Sequence, residues 1–240
     1  NFPELNKPLH KNKSLEVLGK NIEDKKPTLF ITKEEHSAIR SLNIAKEFNL
    51  KPWILSSGYE YRRLRENKDQ KPFIIVPLNF PKSPKVSNPY DAMQYSTEKL
   101  QHWEMAPDNL KKIYDSGMTF SLTTYKSEKD FRKNLQRVSD RGLSKDILLA
   151  SLTTFPAEAM GVEKFIGKIQ TGFMANLVVT DGDYFNPKSR VTSVWLSGKE
   201  KYLAPKFKFD IKGKWVLRFN EQDYDFTFAK NNNSEMPDYG

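Results

Sequence analysis

Few side chains in this 240-residue sequence could bind a metal ion or activate water. The sequence has three histidines and no cysteine, which excludes disulfides and cysteine-ligated zinc. His36 directly follows Glu34 and Glu35, and a further carboxylate stands at Glu60. Since imidazoles and carboxylates are ordinary zinc ligands, His36 and Glu60 could form a metal site. The alternative is a surface histidine on a helix and a glutamate in a first helical turn, where the helix dipole favours negative charge.

A second candidate is the run Gln101-His102-Trp103-Glu104, which closes a long proline-rich segment over residues 77–105. Loops of this length inside a domain are usually functional or disordered. His102 and Trp103 could therefore bind a ligand from a loop. The alternative is that Trp103 packs over the end of the fold. The remaining histidine, His10, has no neighbours suited to a site.

The charge balance limits the possible partners. The net charge is +9, from 39 basic and 30 acidic residues, and a basic surface is compatible with nucleic acid or an anionic polymer. The densest basic run, residues 61–65, is soon followed by Glu66 and Asp69, as on a solvated helix face. We therefore predict no nucleic-acid partner. No run of apolar residues is long enough for a membrane span, so we predict a soluble protein, cytoplasmic or periplasmic.

Strand and helix patterns alternate in the first two thirds of the chain. Apolar runs predict strands at residues 28–32, 53–55, 73–76 and 118–123, and a helical pattern follows each of them. Such alternation predicts βα units on a parallel sheet. A closed barrel of this kind has eight strands, so four units predict a partial, TIM-barrel-like half. We expect seven apolar residues of the predicted strands and helices to be buried: Trp53, Phe73, Ile74, Ile75, Leu122, Leu148 and Leu177.

The last third of the chain predicts antiparallel strands. Residues 177–180 and 191–196 form two of them, and residues 213–219 and 224–228 form a hairpin joined by a four-residue connection. The hairpin alternates aromatic with polar residues, which is typical of a small core. An aromatic face for binding a sugar or anionic polymer is the alternative: Trp215, Phe219, Tyr224, Phe226 and Phe228.

These patterns divide the chain into five parts. A polar leading segment, residues 1–26, contains a predicted helix at 15–24. The partial barrel follows at 27–160, β-sandwich strands at 161–204 and the hairpin at 205–230. The asparagine-rich tail, 231–240, is predicted to be disordered. The predicted fold class is thus α/β, a partial barrel with C-terminal β-sandwich strands and a β-hairpin.

Four stretches carry a resemblance to a known family: residues 142–144 (Gly-Leu-Ser), 156–162, 166–183 and 191–202. Together they resemble the amidohydrolase superfamily, and in particular its imidazolonepropionase-related members. In that family these stretches follow the last barrel strand and return the chain into a small β-sandwich. The resemblance therefore implies an amidohydrolase module, acting on C–N bonds other than peptide bonds.

The same resemblance implies where metal ligands should lie. The family uses zinc or another divalent metal to lower the pKa of a bound water, with ligands at the C-terminal ends of barrel strands. If the four strands correspond to the fifth to eighth of the barrel, the ligand positions are occupied by Thr32, Tyr59 and Thr124 or Tyr125. Threonine and neutral tyrosine are poor ligands. We expect a degenerate, inactive module with no catalytic residues and no metal.

Two further expectations concern what surrounds this module. The first is that it is part of a working metal-dependent hydrolase, completed by missing sequence or a second subunit; this is the alternative to inactivity. The second is that something covers the sheet, because parallel strands are rarely left exposed. The remainder of a larger amidohydrolase chain could do so, as could a second copy in a homo-oligomer or the segment 77–105 folded inward.

Overall fold

A four-stranded parallel sheet organises the first two thirds of the protein. The computed structural model describes residues 12–68, 70–125, 129–203 and 213–228. The sheet order follows the chain order, and every neighbouring pair is parallel. The strands are β1 (Pro27–Ile31), β2 (Lys51–Leu55), β3 (Phe73–Pro77) and β4 (Phe120–Thr123). The α/β class and the parallel sheet are thereby confirmed.

Nine α-helices occur in the described residues. They are α1 (Lys13–Glu23), α2 (Glu35–Glu47), α3 (Leu64–Lys68), α4 (Pro89–Ala92), α5 (Thr97–Met105), α6 (Asn109–Asp115), α7 (Phe131–Asp140), α8 (Lys145–Leu152) and α9 (Thr154–Met160). None of the helices in these residues combines the length and apolar character needed to cross a membrane. The predicted disordered tail and residues 205–212 of the predicted hairpin module lie outside the described residues.

Two stretches differ from the predicted helices and loops. The helical pattern predicted after the second strand is a 3-10 turn, Glu60–Arg62, followed by the short helix α3. The loop predicted at residues 77–105 contains α4 and α5. Each of these helices begins at a polar N-cap, because Asn88 accepts a hydrogen bond from the Asp91 amide and Ser96 accepts one from the Lys99 amide.

The main core lies between one face of the sheet and the helices. Ile74, Val76 and Phe120 are buried there against α6, α7 and α8, and a smaller cluster joins Ile54 to α2. The residues predicted to be buried divide by face. Ile74 and Leu148 are buried, whereas the other five are only half-buried. Among these, Trp53, Phe73 and Ile75 on β2 and β3 belong to the opposite face of the sheet from Ile74.

The C-terminal strands form two separate antiparallel sheets. One contains β5 (Leu177–Thr180), β6 (Val191–Leu196) and β7 (Lys199–Tyr202), of which β7 was not predicted. The other is the hairpin of β8 (Gly213–Phe219) and β9 (Gln222–Phe228). The predicted four-residue connection is wrong, because Phe219 pairs with Gln222 and leaves a two-residue turn. Both turn residues have positive φ, 51° at Asn220 and 61° at Glu221, as tight hairpin turns require.

Arg132 on α7 ties the parallel-sheet part of the chain to the loop between β5 and β6. Its guanidinium donates hydrogen bonds to three backbone carbonyls: Tyr184 at 2.9 Å, Asn186 at 2.6 Å and Ser189 at 2.5 Å. It also lies 5.2 Å from the centre of the Tyr184 ring. The planar guanidinium group carries five N–H donors in a fixed geometry, which allows it to bond three carbonyls at once. The ammonium group of a lysine does not have this geometry.

We therefore expect Arg132→Lys to lower the free energy of unfolding by about 1.5–3 kcal/mol, the range for hydrogen bonds made by charged groups. Urea unfolding followed by circular dichroism measures this loss. Arg141→Lys is the matched control, because Arg141 is a partly exposed side chain that pairs with Glu104 and, at 3.8 Å, with Asp108, and its replacement should change stability little. Equal stability of both variants would show that the Arg132 contacts do not hold the loop.

Candidate functional site

The candidate site lies where the parallel strands end. Thr32 follows β1, Ser56 to Tyr59 follow β2, and Thr124 follows β4. The C-terminal ends of parallel strands meet at one edge of a sheet, and in (βα) barrels this edge carries the active site. The side chains around this edge therefore decide what chemistry the protein can perform.

Thr32 is engaged in holding the sheet together. Its side chain is buried, and its hydroxyl donates a hydrogen bond of 2.7 Å to the carbonyl of Leu55. The Thr32 backbone amide bonds to the same carbonyl at 3.2 Å. Thr32 thus extends the pairing of β1 and β2 beyond the last residue of each strand.

Glu60 is a buried carboxylate in the first turn of the 3-10 helix Glu60–Arg62. Only 1% of its surface is exposed. One oxygen accepts hydrogen bonds from the Ser56 hydroxyl at 2.6 Å and the Asn109 amide at 2.9 Å. The other accepts from the Ser57 backbone amide at 2.9 Å and the Ser57 hydroxyl at 3.3 Å. Both oxygens are thereby hydrogen-bonded within the protein.

Asn109, a residue that the sequence did not single out, completes this buried network. It is 1% exposed and lies at the start of α6. Its amide nitrogen donates to Glu60, while its oxygen accepts a hydrogen bond of 2.8 Å from the Tyr61 amide. Asn109 thus joins α6 to the chain after β2. Its partners lie 48 and 49 residues away, so no local pattern could reveal them.

His102 stacks on Tyr59, the residue at an expected metal-ligand position. The two ring centroids are 3.8 Å apart and the ring planes differ by 17°. His102 lies on α5 rather than in a loop, and its Nδ1 is 3.3 Å from the Tyr61 hydroxyl. Trp103, the next residue, is half-buried on the same helix. The ligand site that was predicted in a loop therefore lies on helix α5, which packs against the chain after β2.

Arg62 contacts the same group of aromatic rings. Its guanidinium lies 4.7 Å from the centre of the Tyr59 ring and donates hydrogen bonds to Glu35 at 3.3 Å and Glu98 at 2.9 Å. Its Nε donates to the Tyr61 hydroxyl at 3.3 Å. One residue thereby links α2, α5 and the turn after β2. We call Tyr59, Tyr61, Arg62 and His102 the ring-arginine cluster.

Burial sets the protonation states in the ring-arginine cluster. It lowers the pKa of His102, and the positive charge of Arg62 lowers it further. Burial raises the pKa of Tyr59, outweighing the opposite effect of Arg62. Burial alone would lower the pKa of Arg62, but its hydrogen bonds to Glu98, Tyr61 and Glu35 raise it. At neutral pH the cluster therefore contains a neutral imidazole, a neutral phenol and a permanent cation.

The other expected positions are on the surface. Thr124 and Tyr125 are exposed just beyond β4, and His36 is exposed on the first turn of α2. The structure therefore does not bring His36 and Glu60 together. His36 is in solvent, whereas Glu60 is buried and both of its oxygens already accept hydrogen bonds. Within the described ranges, no three histidine, aspartate or glutamate side chains come together as a metal site would require.

Little space remains at this edge of the sheet. A cleft lined by Ser57, Gly58, Asn79, His102 and Asn109 has a volume of about 20 Å³, enough for about one water molecule. Pockets for small-molecule ligands are usually about 300–1,000 Å³. The side chains around this cleft therefore pack closely on one another.

The chain is similar in sequence or in structure to several known proteins. Amidohydrolase tasK of Hapsidospora irregularis is 31% identical over 121 residues, which are 48% of this chain and 12% of tasK. The crystal structure of an amidohydrolase from Thermotoga maritima MSB8 superimposes with a TM-score of 0.64 at 22% identity, over 83% of this chain and 49% of that one. Molinate hydrolase superimposes with a TM-score of 0.50 at 16% identity, over 85% and 50%.

This chain therefore spans about half the length of those solved structures and 12% of tasK. The structural likeness at such low identity shows the fold alone. The family itself is shown by a direct match, because the model of the amidohydrolase family matches residues 90–216, more than half of the 240 residues. On that match, the chain belongs to the amidohydrolase family.

Proposed function

We propose that this chain is a half-barrel module of an amidohydrolase that binds no catalytic metal and does not hydrolyse C–N bonds by itself. The observation that carries the proposal is the ring-arginine cluster. Tyr59 stands at an expected ligand position, and its ring is covered by His102 on one side and approached by the Arg62 guanidinium. A permanent cation at this distance repels a divalent metal ion.

The residues at the expected ligand positions do not fit a metal. The Thr32 hydroxyl donates its hydrogen to Leu55, and burial keeps the Tyr59 phenol protonated because its pKa is raised. Thr124 and Tyr125 offer no carboxylate or imidazole. The nearby carboxylate of Glu60 already accepts four hydrogen bonds. We therefore derive no metal-dependent step for this chain.

The half-barrel part of the proposal has separate support. Four parallel strands in sequential order, with helices on one face, are the arrangement of half of an eight-stranded barrel. The chain also superimposes on about half of the Thermotoga maritima amidohydrolase. The motifs at residues 156–162 and 166–183 favour an imidazolonepropionase-related subtype, which we propose on that basis alone.

The proposal predicts that the purified protein retains no stoichiometric zinc. Protein stripped with a chelator is incubated with zinc, exchanged into metal-free buffer and measured by elemental analysis. His36→Ala is the control for adventitious binding, because His36 is exposed on a helix. One zinc per chain retained in both proteins would contradict the proposal and favour a working hydrolase.

Activity is measured on the same samples with amides, cyclic amides and dipeptides as substrates. We expect no turnover above the rate in buffer, since no described group is placed to activate water. Turnover that disappears with a chelator would show that the chain does hold a catalytic metal.

A further inference from the structure

The segment that carries α4 and α5 runs between two buried anchor points without entering the core. Within this described stretch none of residues 81–105 is buried, and neither helix buries a side chain. Leu78 is buried before the segment, and Ala106 and Pro107 are buried after it. We call residues 81–105 the strap. A strap fixed at both ends, with few apolar contacts between them, can open without unfolding the rest of the protein.

Three side-chain contacts hold α5 to the rest of the protein. Near its start, Glu98 accepts a hydrogen bond of 2.9 Å from Arg62, and near its end Glu104 pairs at 2.8 Å with the arginine that follows α7. Between these contacts, His102 stacks on Tyr59. The two glutamates are 70% and 51% exposed, and exposed ion pairs contribute little to stability. Of the three contacts, the ring stack is therefore the one expected to hold the strap most firmly.

His102 is the member of this stack whose charge can change near neutral pH. Burial lowers its pKa, and the positive charge of Arg62 lowers it further. Three carboxylates act in the opposite direction but do not outweigh these effects: Glu35, Glu60 and Glu98. Lys112 on α6 adds positive charge 5.6 Å from the centre of the Tyr61 ring. The closed strap therefore holds a proton on His102 more weakly than water would.

The hydrogen bonds around His102 also favour the neutral ring. The Nε of Arg62 donates to the Tyr61 hydroxyl at 3.3 Å, and this hydroxyl lies 3.3 Å from the Nδ1 of His102. The hydroxyl can donate to Nδ1 only while Nδ1 carries no hydrogen, and in the imidazolium both ring nitrogens carry one. Protonation also places a second cation on the Tyr59 ring, which the Arg62 guanidinium approaches to 4.7 Å.

We propose that the strap is a lid over the end of β2, closed while His102 is neutral and released when His102 is protonated. The proposal goes beyond the proposed function and does not depend on whether the chain binds a metal. The open state binds the proton more strongly, because there the imidazole is in water, so acid favours opening. Release should begin as the pH falls below the ordinary histidine pKa of about 6.5. It uncovers the small cleft that Ser57, Gly58 and His102 line.

Hydrogen exchange followed by mass spectrometry tests the lid in the full chain after treatment with a chelator, so that no metal on His102 can mimic a proton. Exchange is measured at about pH 7.5 and about pH 5, on either side of the ordinary histidine pKa, and each rate is divided by the intrinsic rate at that pH. We expect the protection of α5 to fall at least about fivefold in acid, the lower end for coupling between two sites. The core strand β3 should stay protected, which also verifies that each protein is folded.

Two variants remove the titration and keep different parts of the contact. His102→Phe keeps a ring to stack on Tyr59, and His102→Gln keeps an acceptor for the Tyr61 hydroxyl. Both should leave α5 equally protected at the two pH values. His36→Gln is the matched control, because His36 is exposed on α2, and it should retain the fall. Equal protection of α5 at both pH values in the unaltered chain would overturn the proposal, as would a fall that persists in both His102 variants.

Discussion

Replacing Glu60 with alanine is expected to lower the free energy of unfolding by at least about 3 kcal/mol, because it leaves several buried donors without an acceptor. The Asn109 amide and the Ser57 backbone amide both donate to this carboxylate. The Asn109 amide cannot turn towards another acceptor, since its oxygen is held by the Tyr61 amide. The lost side-chain volume adds a cavity to this cost.

Glu60→Gln separates the charge of the side chain from its shape. The amide nitrogen of glutamine must face either Asn109 or the Ser57 backbone amide, so one donor opposes another in both orientations. We expect a loss of about 1–3 kcal/mol, the cost of one unsatisfied buried group. Urea unfolding measures both variants. Glu66→Ala is the control, because Glu66 makes only an exposed pair with Arg63.

A small effect of both Glu60 variants would contradict the buried network. It would mean that the carboxylate is solvated in solution, and that it remains available as a ligand. The Glu60 variants therefore also test the claim that this edge of the sheet has a structural rather than a catalytic role.

The strands of the parallel sheet could be predicted from the sequence because each is a short apolar run between polar turns. The structure places all four within two residues of the predicted bounds. Their burial could not be predicted in the same way. A continuous apolar strand indicates two apolar faces, but it does not indicate that only one face is covered within this chain.

The sequence contains a start signal for helix α5, but the nearby prolines favoured a loop in the prediction. Ser96 accepts a hydrogen bond from the Lys99 amide and so caps the helix, and a serine before an acidic first turn is a recognised start signal. Four prolines earlier in the segment favoured a loop. As a result His102 was assigned to a loop, whereas it stacks on Tyr59 from a helix.

The ring-arginine cluster depends on contacts that no local pattern contains. Arg62 meets Glu35 and Glu98, which are 27 and 36 residues away in the chain. The resemblance could place Tyr59 at a position where a metal ligand was expected. It could not show that another ring and a cation fill the surrounding space, which is the stronger argument against a metal.

The two faces of the sheet lead to a second large expected effect. Ile74→Ala should lower the free energy of unfolding by about 2–5 kcal/mol, the usual cost of truncating a buried aliphatic side chain. Ile74 is 1% exposed, lies between Ile54 and Phe120 in the sheet register, and packs in the main core. Its removal leaves a cavity that neighbouring strands cannot close.

Ile75 is the matched comparison, since it is the same residue type on the opposite face of the same strand. Ile75 is half-buried, so Ile75→Ala should cost less than Ile74→Ala. Chemical unfolding of both variants measures the difference. Equal losses for the two variants would mean that the assignment of the two faces is wrong.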